Sequence, residues 1–239
     1  MFCQQRTKCV KFNVMPVKAV IFDVDGVIFD SENLHVSSWE KVFGARGLFF
    51  PDTVYQSGFG VCDREFLLNL KRKGKLPAGI NIEELLQEKV KTTLQLAGNS
   101  VPTFPSVVET ILQLKKQYLL AAASNSDERL VHLLLQKAGI QHCFTTILAR
   151  NDVTRPKPFP DIYFACAEKL KVSPQFCLVV EDSVVGVAAA RAAGMFCIAV
   201  THTTAAEKLT RANLIVDSLS PDKVCKAISI LHEQETKLS

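Results

Sequence analysis

The stretch Val20-Ile21-Phe22-Asp23-Val24-Asp25-Gly26 decides the fold. Its first half is β-branched and aromatic, with the length of a buried strand. Its second half puts two carboxylates, one residue apart, at the carboxyl end of that strand, where open α/β sheets bind their ligands. Like charges packed together are costly unless a positive charge sits between or beside them. A divalent cation meets that need, and an oxygen-rich set suits magnesium. A carboxylate beside such a cation can also attack phosphorus and form an aspartyl-phosphate. Alone, Asp-x-Asp-Gly fits a simple turn that closes a strand at least as well, so the rest of the chain has to decide.

On the carboxyl side the pattern is first helical and then strictly alternating. Ser31 reads as the N-cap of a helix reaching about Phe43, with Trp39, Val42 and Phe43 on its apolar side. Further helices are expected over 64–73 and from Ile82, where Leu85, Leu86, Lys89 and Val90 recur at helical spacing. Strands are expected at 119–123, 146–148, 177–180, 196–200 and 214–216. Helices are expected near 107–114, 130–138, 161–170, 184–193, 205–211 and 220–232. Strands that alternate with helices form a parallel sheet covered on both faces. The expected fold is α/β, a doubly wound parallel sheet (Rossmann-like core), with a helical cap inserted after the first strand. The expected boundaries are 15–31 and 104–239 for the core, 32–103 for the cap, and a disordered extension over 1–14, with Met15-Pro16 as a natural start of the domain.

The bulk numbers narrow the function classes. The net charge is +4, but the lysines are scattered, so nucleic acid is not an expected partner. No apolar run approaches the roughly 18 residues of a membrane span. Residues 1–14 hold Arg6, Lys8 and Lys11 and lack the apolar core of a secretory signal. The eight cysteines stand singly, without the Cys-x-x-Cys spacing of a zinc or redox site, and several sit in apolar surroundings. A reducing cytoplasm is the expected setting, and a monomer or weak dimer the expected state.

Three more strand ends carry chemistry. Ser124-Asn125-Ser126 follows the second strand, where a small hydroxyl and free amides can cradle a phosphate, or Ser126 or Asp127 can cap the next helix. Arg155-Pro156-Lys157-Pro158-Phe159-Pro160 holds one lysine among three prolines, which suits a fixed cation and also a solvated loop. Glu181-Asp182 ends a fully apolar strand and would complete a cation site with Asp23, although acids also favour the start of the following helix.

In this order the four motifs resemble the haloacid dehalogenase superfamily, in the branch of β-phosphoglucomutase and its phosphatase relatives. The resemblance runs from about Val17 to the C-terminus. It includes the opening motif at 22–32, His35 and Trp39, Gly60 and Arg64 in the cap, Thr201-His202-Thr203 and Val216-Asp217-Ser218-Leu219. It implies Asp23 as nucleophile and Asp25 as general acid/base. It implies magnesium held by Asp23, the Asp25 backbone carbonyl, Asp182 and Glu181, the last directly or through water. Ser124, the Asn125 backbone and Lys157 would hold the phosphoryl oxygens, and His35 and Arg64 are candidate cap contacts. The implied activity is magnesium-dependent hydrolysis of a small phosphorylated metabolite, a sugar phosphate among the candidates, with a phosphosugar mutase as the alternative. Two departures stand out. Ser106 occupies the position of a turn glycine, and Asp127-Glu128 replace a basic residue and an asparagine that help hold a distal phosphate. The two acids favour the hydrolase, while His35 and Arg64 keep the mutase open.

Overall fold

The computed structural model describes residues 17–98 and 101–235; the expectations for 1–14 and for Met15-Pro16 lie outside the described residues. Six strands form one sheet. They are β1 (Ala19–Phe22), β2 (Leu119–Ala123), β3 (Thr146–Leu148), β4 (Cys177–Glu181), β5 (Phe196–Val200) and β6 (Leu214–Val216), in the order β3-β2-β1-β4-β5-β6. Every pairing is parallel.

Alternate side chains of each strand go to opposite faces. Val20, Phe22, Leu120, Ala122, Leu178 and Val180 join the core beneath the helices Val107–Leu114, Glu128–Lys137 and Pro221–Glu235. Ala19, Ile21, Ala121, Cys177 and Val179 join a second core beneath Asp161–Leu170 and Val184–Ala192. Both faces are thus buried, which is why the strands read as continuous apolar runs.

The chain winds outward from β1 in two directions, so the sheet order reverses between β1 and β4. The register Phe22↔Val180 sets the residues after these two strands side by side, and Asp23 N–H donates to the Val180 carbonyl at 2.9 Å. Topology alone therefore brings the Asp23 and Glu181-Asp182 segments together at the carboxyl edge of the sheet.

The inserted helices are α1 (Glu32–Gly44), α2 (Asp52–Gln56), α3 (Asp63–Arg72) and α4 (Ile82–Leu96). They form a cap with its own core of Trp39, Phe43, Tyr55, Phe66, Leu67 and Leu85. Burial of each such side chain contributes roughly 1.5–3 kcal/mol. Asn81 caps α4 by accepting from the Glu83 and Glu84 amides. The two chain crossings between cap and core run antiparallel: Asp30 N–H donates to Pro102 O at 2.9 Å and Phe104 N–H to Ile28 O at 3.0 Å.

Several local expectations need correction. Helix α2 has no counterpart in the sequence reading; at five residues it is too short to show a period. The segment 205–211 holds only a 3₁₀ turn, Ala206–Lys208, and no α-helix. Ser31 precedes α1, but its hydroxyl makes no capping bond. Ser106 has φ +61°, the left-handed conformation that favours glycine.

Candidate active site

Lys157 is the centre of charge. Its Nζ lies 2.5 Å from Asp23 Oδ1, 2.6 Å from Glu181 Oε1 and 3.1 Å from the Ala123 carbonyl, and it is 3% exposed. Burial alone would push this ammonium down, but the Asp23 and Glu181 carboxylates outweigh it and hold Lys157 above its ordinary range. Glu181 is fully engaged. It accepts from Lys157, the Tyr163 hydroxyl, the Asp182 and Ser183 amides and the Ser183 hydroxyl. Against the pull of burial, Lys157, Tyr163 and the Ser183 amide keep it lowered and ionised.

Asp23 and Asp182 are not so well compensated. Burial pushes both carboxyls well up; Lys157 opposes this at Asp23, and Thr203, by a hydrogen bond to Asp182 Oδ2, opposes it at Asp182. Asp23, Glu181 and Asp182 each offer a carboxylate oxygen within 4.8 Å of the others. Three buried acids against one buried lysine leave negative charge uncompensated, and all the donors are hard oxygens. The set therefore fits a divalent cation of the magnesium or calcium type. With Glu181 saturated, the oxygens left for the cation belong to Asp23 and Asp182.

Asp25 is held by four side chains. Ser31 Oγ donates to Oδ1 at 2.6 Å, with His35 Nε2 at 3.1 Å. Ser124 and Ser126 hydroxyls donate to Oδ2 at 2.9 and 2.8 Å. Burial opposes ionisation, but these bonds, His35 foremost, hold the Asp25 carboxyl below its usual range. His35 Nδ1 lies 2.8 Å from Lys89 Nζ, and Lys89 pairs with Asp63 at 2.8 Å. Because Lys89 can only donate, His35 accepts at Nδ1 and carries its proton at Nε2, toward Asp25. Ser124, expected to face a phosphoryl group, is fully buried and turned to Asp25.

Asn125 joins cap to core. Its Nδ2 donates to the Gly60 carbonyl at 3.1 Å and its Oδ1 accepts from the Lys157 amide at 3.0 Å. Gly60 (φ +71°) lies over Ser183, where a Cβ would come within 2.6 Å of Ser183 Cβ. Beneath this contact a cavity is bounded by Asp23, Asp25, Asn125, Lys157 and Asp182 on the core side and by α1, α2 and α3 on the cap side. Arg64 is not on its wall: its guanidinium makes a two-pronged, exposed pair with Glu83 at 2.6 and 2.7 Å. Asp127 is likewise turned away. It is the N-cap of Glu128–Lys137, accepts from the Arg129 amide, and pairs with the Arg129 side chain. Neither Asp127 nor Glu128 lines the cavity, so the expected repulsion of a second phosphate does not come from them.

Ser31, Lys89, Asp63 and Tyr163 complete the site without having been marked as functional, and Ser126 and Thr203 do so from within stretches already singled out. Lys89 was visible as the one charged member of an apolar helical stripe. Ser31 meets Asp25 six residues back, and the rest are ordinary polar residues whose partners lie far away in the sequence.

The family model for haloacid dehalogenase-like hydrolase matches residues 17–194. The fructose-1-phosphate phosphatase YqaB of Escherichia coli is 30% identical over 179 residues, covering 74% of this chain and 92% of that protein. The β-phosphoglucomutase of Bacillus subtilis is 27% identical, covering 91% of this chain and 95% of that protein. The crystal structure of CbbY from Rhodobacter sphaeroides in complex with phosphate superposes with TM-score 0.77 at 28% identity, covering 84% of this chain and 94% of that chain. With its strand-end acids and helical cap placed as above, the chain belongs to the haloacid dehalogenase-like hydrolases, in the branch that includes β-phosphoglucomutase.

Proposed function

We propose that the protein is a magnesium-dependent phosphatase that hydrolyses a small phosphorylated metabolite, of the sugar-phosphate kind, through an aspartyl-phosphate on Asp23. The observation that carries this reading is the meeting of Asp23, Lys157 and Asp182 on the floor of a capped cavity, with Glu181 buried behind them. Asp23 and Asp182 would hold the cation with the Asp25 backbone carbonyl, and Glu181 would fix Lys157 behind them. Magnesium, when bound, supplies positive charge against the phosphoryl oxygens.

In the first half-reaction Asp23 attacks phosphorus, the new P–O bond forms, and the ester P–O bond breaks. Asp25, ionised while it is bonded to His35 and the serines, takes up a proton from solvent when substrate turns it away from them, and gives that proton to the departing alkoxide. In the second half Asp25 takes a proton from water, which attacks the aspartyl-phosphate and releases inorganic phosphate. Lys157 and the amide edge at Asn125 meet the charge on the equatorial oxygens. Asp25 has to turn away from Ser124 before that hydroxyl can meet a phosphoryl oxygen, and His35, backed by Lys89, positions it.

Release of inorganic phosphate from a panel of phosphorylated metabolites, with and without magnesium, tests the reading. Release confined to the magnesium arm is expected; none from any member sinks it. The mutase reading draws on the 27% likeness to β-phosphoglucomutase and on the His35–Asp25 contact. It is weakened by Arg64, which is engaged with Glu83 and not on the cavity wall. Phosphorus NMR of β-glucose 1-phosphate with a trace of glucose 1,6-bisphosphate separates the two. Free phosphate favours the hydrolase, and clean glucose 6-phosphate the mutase. Among the described residues Cys62, Cys143, Cys166, Cys177, Cys197 and Cys225 are free thiols, which is compatible with a reducing setting.

A further inference from the structure

The cap half of the cavity differs in kind from its floor. Trp39, Tyr55, Phe59 and Phe66 give it an aromatic wall. Tyr55 is buried and packs with Phe43 and Phe50 as well as lining the cavity. Charge on this half is acidic. Asp63 is on the wall and is neutralised from behind by buried Lys89. Glu32, in the first turn of α1, is also on the wall, and among the described residues nothing hydrogen-bonds to its carboxylate. Its charged neighbours are Asp30 and Asp25. Among the described residues, Lys157 is the one lysine or arginine lining the cavity, and it is already committed to Asp23 and Glu181.

Resting on the phosphatase reading, we propose that the cap half selects monophosphates whose alcohol portion is uncharged or cationic and carries an apolar ring face, and that Glu32 is the residue that excludes a second anion. An aromatic wall takes the C–H face of a sugar ring or the face of an aromatic ring. A carboxylate or second phosphate brought into the same space meets Glu32 with no cation of the chain to offset it, in a partly desolvated site where like charges repel strongly. An ammonium or a hydroxyl in that place gives Glu32 the partner it lacks.

The test is calorimetric binding to the Asp23→Asn variant in magnesium at about pH 8, where Glu32 is mostly ionised, which reads affinity without turnover. The probes are glucose 6-phosphate, glucosamine 6-phosphate and 6-phosphogluconate, and the rigid pair phenyl phosphate and 4-carboxyphenyl phosphate. The neutral and cationic members should bind about tenfold or more tightly than their carboxylate counterparts. Adding Glu32→Gln should narrow that gap, and Glu32→Lys should invert it. Equal or tighter binding of the carboxylate members overturns the proposal. So does a gap that Glu32→Gln leaves unchanged, or no binding of any probe to a variant that circular dichroism shows folded. The phosphatase reading is judged apart from this, by phosphate release from the wild-type chain, so either idea can fail while the other stands.

Discussion

Gly186 makes room for Glu181: a Cβ on Gly186 would lie 1.8 Å from Oε1 and 1.9 Å from Cδ of that buried carboxylate. Gly186 is one turn into the helix that follows the acids, a position where alanine would ordinarily be the better helix former. Here the usual preference is reversed. Gly186→Ala should displace Glu181 from Lys157 and leave buried charges unpaired, at a cost of about 3 kcal/mol or more. Urea unfolding checks this, and a variant as stable as the wild type would show that Glu181 has another place to go.

The uncompensated acids make a prediction about metal. Magnesium should raise the thermal midpoint of the wild-type protein, by an amount equivalent to about 2.7 kcal/mol when the ion is at a hundredfold excess over its dissociation constant. Asp182→Asn removes one of the two available carboxylates and should lose most of that shift. Chelator should abolish phosphate release. Full activity after exhaustive metal removal would count against the site.

Asp25→Asn should slow turnover by about 10²–10⁴ if Asp25 is the general acid/base. The defect in the phosphorylation step should shrink for p-nitrophenyl phosphate, whose leaving group needs little protonation. Single-turnover measurements on both kinds of ester decide it; an equal loss for every leaving group removes Asp25 from that role.

Burial, with Asp30 and Asp25 adding, raises the Glu32 carboxyl from 4.5 to about 7. Between those values the folded chain holds a proton that the unfolded chain has released. The stability this contributes is complete below 4.5 and is lost as pH climbs through about 7. The wild type should therefore lose ground to Glu32→Gln between about pH 5 and about pH 8. The difference will be small, because solvent screens half of the group. Urea melts at the two pH values measure it, and a difference of the opposite sign excludes the assignment.

Ser106 holds a left-handed backbone just before the helix Val107–Leu114. That conformation costs a residue with a Cβ about 1–2 kcal/mol, while glycine gives back part through its looser unfolded state. Ser106→Gly should stabilise the protein by about 0.5–1 kcal/mol without altering activity. A loss of stability in thermal or urea unfolding would mean that the Ser106 side chain contributes something the φ value does not reveal.

The strands were legible because both sheet faces are buried: Leu119–Ala123 and Phe196–Val200 are apolar runs with sharp ends, while Thr146–Leu148 is a short, half-buried edge strand. The strand-end acids and Lys157 were legible because charge is conspicuous beside such runs. What the sequence hid was direction. Arg64 and Asp127 are where a substrate contact and a repelling acid were expected, yet each turns to a partner of its own, Glu83 and Arg129. Ser31 had the right position for a cap and gives its hydroxyl to Asp25 instead. Lys89 fell in an apolar stripe because its stem is buried, and only its contact with His35 shows why a charge is there. Side-chain aim depends on neighbours brought together by folding, which local spacing does not encode.

The bond from Asn125 to the Gly60 carbonyl uses a main-chain atom of the cap, and the same side chain grips the main-chain amide of Lys157. The lysine's loop and the cap are thus coupled through Asn125 to a carbonyl that every residue possesses and an amide that every residue but proline possesses. Side chains around Gly60 can therefore change without removing the two main-chain atoms that Asn125 holds. Under the proposed function, the cap's side chains are the part left to vary with substrate, while its join to the Lys157 loop rests on the backbone.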